Sequence, residues 1–319
     1  MKKIFGIVLV FTLFPACLQA QNYPHYTMFM FNKLLYNPAY AGNKNLTSIN
    51  AAYRSQWVGI DGAPKTFSVA IDGPVGNYMK PFRRVALGLV VSNEKLGVTN
   101  NTNLMASYAY RIPFQKTILS FGLQAGASLF SARYSELKPY QGGDARLTND
   151  VKNTALPNFG AGIYWSGENF YVSGAVPNLL ENYYDKDHKD VNDANGKQIR
   201  SYFISGGYVF QVGENVKLEP QVLARYAGNG TYQLPFNADL NLSCILYDRL
   251  MIGATYRTDK SLEGIVHLQA TRYINVGYAY DYTVSGLNGY NNGSHEIVVG
   301  IDFIRDNNKY TNPRFIKAF

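Results

Sequence analysis

The chain has 319 residues, of which 46% are hydrophobic and 14% aromatic, including 26 Tyr and 18 Phe. Only 16% are charged, where soluble domains carry roughly 25%. This profile excludes a disordered chain, which lacks aromatics. After position 20 no apolar run approaches the roughly 20 residues that a membrane helix needs, so a multispan helical membrane protein is excluded as well. The formal charge of +8 is not gathered into a Lys/Arg block, so nucleic acid is not an expected partner.

Residues 1–20 read as an export signal. Lys2 and Lys3 precede the apolar stretch Ile4 to Phe14, Pro15 breaks it, and Leu18-Gln19-Ala20 offers a cleavage site before Gln21. Phe14-Pro15-Ala16 is a poor approach to a lipidated Cys17. Without the signal, Cys244 stands alone and no internal disulfide is possible.

Residues 21–45 form an N-terminal segment, expected to be periplasmic. From residue 46 to 304 one pattern repeats: about ten residues alternating apolar with small or polar, then a turn, which is the strand signal. Apolar faces run through Ile49-Ala51-Tyr53, Phe67-Val69-Ile71, Val85-Leu87-Leu89-Val91, Leu104-Ala106-Tyr108-Tyr110-Ile112 and Leu119 to Leu129. They continue with Phe159-Ala161-Ile163-Trp165, Phe170-Val172-Gly174-Val176 and Tyr202 to Phe210. The strand through Val216-Leu218 and Val222-Ala224-Tyr226 is interrupted by Pro220, which implies a bulge or a later start. The last five are Phe236 to Leu246, Leu250 to Tyr256, Gly264 to Ala270, Ile274 to Tyr282 and Ile297 to Phe303. Residues 305–319 are a tail, expected to be periplasmic.

The expected fold is all-β: a transmembrane outer-membrane β-barrel of about 14 antiparallel strands, with short periplasmic turns and longer extracellular loops. No Asp, Glu, Lys or Arg falls on the apolar faces. The opposite faces carry Arg54, Asp72, Arg84, Arg111, Lys217, Glu219, Arg225, Asp239, Arg257, Asp281, Glu296 and Asp302, with His267 beside them. Lipid would penalise such charges by roughly 2–4 kcal/mol at the midplane, so these faces belong to a polar lumen of paired ions. Connections alternate: Pro113 to Lys116, Ser166 to Asn169, Val212 to Asn215, Tyr247-Asp248 and Thr271-Arg272 are short, whereas 131–157 and 177–200 are long. That alternation places both chain ends in the periplasm. Gly73 to Arg84 is an exception. Tyr202, Tyr256, Tyr280 and Tyr282 sit where an interfacial girdle would have them.

Three stretches stand outside the strand pattern: Tyr36-Asn37-Pro38-Ala39-Tyr40-Ala41-Gly42, then Arg54 to Thr66 with Trp57, Asp61-Gly62 and Lys65, then Gly277 to Leu287 with Tyr290 to Ile297. With Tyr256-Arg257-Thr258-Asp259 they closely resemble the PorP/SprF family of outer-membrane proteins, over nearly the whole chain beyond the signal. The resemblance implies a part in the type IX secretion and gliding machinery. It also implies binding of the C-terminal domain of a secreted adhesin-like protein, with contacts to periplasmic components of the system. The chain departs from the family at its end: Asn312-Pro313-Arg314-Phe315 is followed by four residues and lacks the cysteine that often precedes Pro-Arg-Phe.

Candidate partner-binding residues are Tyr36, Asn37, Pro38, Arg54, Trp57, Asp61, Lys65, Tyr290 and His295. The Tyr36 to Gly42 stretch could instead plug the lumen. No catalytic, cofactor or metal site is expected. His295-Glu296 has no second His four positions on, and no Gly-x-Ser-x-Gly elbow is present. Asp185, Asp187, His188, Asp190 and Asp193 fit no defined calcium loop. Besides the secreted cargo and the periplasmic machinery, membrane lipid is the expected partner. The alternative function is a channel or transporter for small or apolar solutes.

Overall fold

The computed structural model describes residues 25–75, 84–137, 150–184, 197–228, 234–287 and 289–303. The predicted alternation becomes strands β1 (Thr47–Ser55), β2 (Lys65–Pro74), β3 (Val85–Leu96), β4 (Thr99–Pro113), β5 (Thr117–Ala132), β6 (Val151–Gly167) and β7 (Phe170–Asn178). There follow β8 (Ser201–Tyr208), β9 (Phe210–Gly213), β10 (Val216–Ala227), β11 (Asn237–Leu246), β12 (Leu250–Arg257), β13 (Ser261–Gln269), β14 (Ile274–Thr283) and β15 (Ser294–Phe303). Every pairing is antiparallel, β1 pairs with β15, and β10 pairs with both β8 and β9. Because β8 and β9 are two halves of one stave, the sheet closes as a barrel of 14 strands. Closure of β1 on β15 removes the two free edges that an open sheet would present to lipid, which could not solvate them.

Outward side chains sort by height. Leu89, Leu123, Ile163, Ile204, Leu242, Ile252 and Val266 occupy the middle and are exposed. Toward the long-loop end stand Tyr53, Tyr202, Tyr226, Tyr256, Tyr280 and Tyr282. Toward the short-turn end stand Tyr110, Phe114, Trp165, Tyr208, Phe210, Tyr247, Tyr273 and Phe303. Two aromatic bands around an apolar zone are the exterior of an outer-membrane barrel. In the described strands, outward-facing charges are confined to Lys65, Lys95 and Lys152 near the long-loop end. Strands β4, β5 and β6 have 15, 16 and 17 residues, more than the 9–11 that cross a bilayer. They rise past the band as a wall, and Phe130, Ala132, Val151 and Leu156 pack there against Tyr134 and Tyr184.

The inward face differs from a uniformly polar one. Ala52, Ala70, Ala86, Ala109, Ala279, Val298, Leu223, Ile245, Met251 and Ile265 form a buried apolar belt. Residues 25–45 fill it. The described part of the N-terminal segment runs inside the barrel as short helical turns, Phe29–Phe31, Lys33–Tyr36 and Pro38–Tyr40. Tyr26, Met28, Phe29, Met30, Phe31, Leu34, Leu35, Tyr36 and Tyr40 are all buried, and burial of each large apolar side chain contributes about 1.5–3 kcal/mol. Of the two roles the sequence left open for Tyr36 to Gly42, the structure has the plug.

Three further expectations are corrected. Arg84 is exposed at the short-turn end, where its Nη1 donates to the Tyr110 hydroxyl at 3.4 Å, so it is not lumenal. Strand β10 is continuous through Pro220, and the break falls on its neighbour, between β8 and β9. Pro220 has no N–H to donate, and since Gln221 is opposite Gly207, it falls at the point where β8 ends at Tyr208. The long connections are shorter than drawn, because β5 runs to Ala132, β6 begins at Val151 and β7 runs to Asn178. The stretches Gly73 to Arg84 and Asp185 to Asp193 lie wholly or mostly outside the described residues.

The plug fits because the wall beneath it is bare. A Cβ on Gly122 would stand 2.1 Å from the Ala39 nitrogen, and one on Gly162 would stand 2.1 Å from Asn37 Oδ1. Gly264, which faces outward, has nothing within 4 Å. Gly122→Ala is therefore expected to destabilise the barrel by about 1–3 kcal/mol, and Gly264→Ala to stay within about 0.5 kcal/mol, in urea unfolding from detergent micelles.

Candidate functional site: the lumenal clamp and the long-loop rim

Two polar clamps hold the plug. At the long-loop end Arg54, Asp281 and Glu296 come from β1, β14 and β15, the strands that close the barrel. Arg54 Nη2 donates to Asp281 Oδ2 at 2.5 Å and Nη1 to Glu296 Oε2 at 3.3 Å. Thr27 completes the group: its N–H donates to Glu296 Oε2 at 2.7 Å, its hydroxyl donates to Asp281 Oδ1 at 2.7 Å, and it accepts from Arg54 Nη1. The Met28 N–H adds a bond to Glu296 Oε1 at 3.1 Å. All of these groups are buried, so each charge depends on the others being present.

The network runs on around the wall. Arg225 pairs with Asp239, Asp239 with Arg257 Nε at 2.8 Å, and Arg257 Nη2 with Glu263 Oε1 at 2.8 Å. Glu263 was absent from the predicted lumenal set, although its alternation with Leu262 and Gly264 marks it as inward. His25 meets this chain through Nδ1, 2.7 Å from Arg225 Nη1. Guanidinium groups only donate, so Nδ1 accepts and the imidazole is neutral. Burial, then the charges of Arg225, Arg257 and Arg54, push its pKa well below the usual histidine value.

The second clamp lies at the short-turn end. Asp72 accepts from the Gly42 N–H at 2.8 Å and from Ser48 Oγ at 3.1 Å. Lys44 pairs with Asp302 at 3.4 Å, and Arg111 Nη2 donates to Asn45 Oδ1 at 2.5 Å. Gly42 has φ 71° and no room for a Cβ, which would lie 2.5 Å from that of Ala86. Between the clamps, rings interlock. Phe31 stacks on His267 at 3.9 Å, Lys33 Nζ stands 3.5 Å from the Tyr171 ring centroid, and Tyr40 meets Tyr164 edge-on at 5.4 Å.

The candidate residues fall into three places. Tyr36, Asn37, Pro38 and Arg54 are in the lumen and buried. Asn37 caps the Pro38 turn by accepting from the Ala39 N–H at 2.9 Å, and donates to the Ile163 carbonyl at 3.0 Å. These four hold the plug and present no free surface. Trp57, Asp61 and Tyr290 are at the rim. There the Val58 N–H donates to the Gly293 carbonyl at 2.9 Å, the Asn292 N–H to the Val58 carbonyl at 2.7 Å, and the Trp57 N–H to Ser294 Oγ at 3.1 Å. The structure thus braces the loop after β1 against the loop before β15. Trp57 is held at φ 45°, a conformation uncommon for a non-glycine residue. Lys65 and His295 are on the outer wall, where Tyr278 Oη lies 2.7 Å from His295 Nδ1. Among the described residues no three His, Cys, Asp or Glu side chains gather as a metal site would need.

Two measurements test the long-loop clamp. Arg54→Met leaves two carboxylates buried without their cation and is expected to destabilise the barrel by about 3–5 kcal/mol, whereas Lys65→Met should change little. Histidine is neutral in the folded state and titrates near 6.5 when unfolded. The His25 contribution is therefore present above that pH and lost as pH falls through it. Protection of the amides at residues 25–28, taken relative to the intrinsic exchange rate at each pH, should fall between pH 7 and 5, and His25→Gln should remove that part of the dependence.

A search of curated proteins finds no match. Among solved structures the chain is similar to a complex of Salmonella typhi OmpF with daunomycin, at 10% identity over 82% of this chain and 99% of that one, TM-score 0.39. It is also similar to the Ralstonia pickettii toluene transporter TbuX, at 10% identity over 86% of this chain and 94% of that one, TM-score 0.48. Likenesses this loose leave the barrel to stand on its own geometry. The model of the family described as type IX secretion system membrane protein PorP/SprF matches residues 18–301. The match spans the plug, both braced loops and the strands from β1 into β15, and the chain belongs to the PorP/SprF family of type IX secretion system membrane proteins.

Proposed function

We propose that this barrel binds the C-terminal domain of a secreted adhesin-like protein at its long-loop end, and anchors it or helps export it at the cell surface. The short turns, with Phe303 at their level, then face the periplasmic components of the type IX machinery. The observation that carries this reading is the filled lumen. With residues 25–45 occupying the apolar belt, the interior is a core and the rim is the surface on which a partner can act. That occupancy weighs against a solute channel.

The rim has the character of a docking surface. Leu137, Leu180, Phe236, Leu287 and Tyr290 stand exposed around the long-loop end, with Tyr290 at 76%. Exposed apolar groups rimmed by polar ones mark contact sites, and aromatic anchors dominate interface energies. Bracing of the Trp57 and Tyr290 loops holds these anchors in place before binding, which reduces the ordering cost of association.

Isolation in mild detergent from native membranes should recover an adhesin-like chain bound to the barrel. Tyr290→Ala with Leu287→Ala should release that chain to the medium, with retention at least about tenfold lower, while the barrel keeps its heat-dependent gel mobility. Recovery of the barrel with no such chain, or open-pore currents from the pure protein in a planar bilayer, would refute the reading.

A further inference from the structure

On the outer wall, Lys65 of β2 lies directly opposite Lys95 of β3. Both are exposed, and neither forms an ion pair among the described residues. Like charges in directly opposed positions, with Cβ atoms about 4.5–5.5 Å apart, destabilise a ladder. The register extends the same row in both directions. Ser55 is opposite Lys65 on one side and His295 on the other, and Asn100 is opposite Lys95. Five adjacent strands thus set His295, Ser55, Lys65, Lys95 and Asn100 side by side in one register row, a line of hydrogen-bond donors without an acid. The nearest acids in sequence do not neutralise it: Glu94 is half-buried on the inward face, and Asp61 is exposed and unpaired with either lysine.

The height of this row is informative. One outward step below it stand Tyr53 and Phe67, each 47% exposed, in the aromatic band. Two residues along a strand are about 6–7 Å. The row therefore stands just beyond the ring layer, at the depth of lipid head groups, where a cation pair meets anions and not acyl chains.

We propose that Lys65 and Lys95, flanked by Ser55, bind the phosphate of a lipid head group in the leaflet at the long-loop end. An anionic oxygen group between the two ammonium groups turns a repulsive cross-strand pair into an attractive triad. The acyl chains of the same lipid then lie along Phe67, Val69 and Val91 below, all outward-facing. The site differs from the rim surface, and its test is independent of any protein cargo.

The experiment uses the full chain in neutral detergent micelles, with phosphatidic acid, diacylglycerol of the same acyl chains, and inorganic phosphate as probes. Lipid retention is read by native mass spectrometry and affinity by titration. The wild-type protein should retain phosphatidic acid over diacylglycerol. Lys65→Gln with Lys95→Gln should weaken that binding about ten- to thirtyfold, with a urea midpoint no lower than that of the wild type, and Lys65→Arg with Lys95→Arg should preserve it. Added salt should weaken the wild-type interaction more than that of the glutamine variant. Equal retention by the glutamine variant would overturn the proposal. So would displacement of phosphatidic acid by an equal concentration of inorganic phosphate, which would mark a free-anion site with no need of lipid.

Discussion

A strand-built cylinder of this size has an interior that must be filled or flooded, and here its filling depends on one buried arrangement. Arg54, Asp281 and Glu296 meet where the first and last strands join, and Thr27 of the plug supplies the hydrogen bonds that complete their geometry. A buried guanidinium or carboxylate without its partner is far more costly than the pair is favourable. The seam and the plug are therefore mutually dependent: the ions hold the segment in place, and the segment satisfies the ions. The apolar belt beneath adds the larger energy, but the clamp decides which way the segment lies.

The exterior was legible in the sequence because lipid imposes a rule that each residue obeys on its own. Alternation, the absence of charge from the apolar faces, and tyrosines near strand ends follow from the contact of each side chain with hydrocarbon or head group, so strand number and facing could be read locally. The lumen obeys a different logic. Whether an inward alanine or glycine faces water or another segment depends on residues far away in the chain. Gly122 and Gly162 alternate with outward Phe121, Leu123 and Ile163, and nothing local says what they face. Only the fold shows that their missing side chains make room for Ala39 and Asn37. Glu263 escaped notice for a simpler reason, since the register of β13 was read from Gly264 onward.

The motif residues divide in the same way. Tyr36 to Gly42 is a specific sequence because nearly every member has a packing or bonding task in the lumen: Asn37 caps a turn, Tyr40 packs on Tyr164, and Gly42 supplies a backbone N–H at a positive φ. Such a pattern resembles a recognition motif in the sequence, yet what it recognises is the chain's own wall. The Trp57 and Tyr290 stretches lie apart in the chain and are brought together at the rim. A membrane component of a secretion system built this way offers a plugged pedestal, with exposed apolar and aromatic groups on the loops at its long-loop end.

The direction of the plug has a kinetic corollary. The segment enters at the level of Thr27 and Arg54 near the long-loop end and descends to β1 at the opposite end, so its contacts with β14 and β15 join residues 254 and 269 positions apart. No ordering of local events can form them early, because their partners are the last strands to be synthesised. The clamp can form only once the last two strands are in place, which makes the docking of the segment a late event with the whole chain as its substrate.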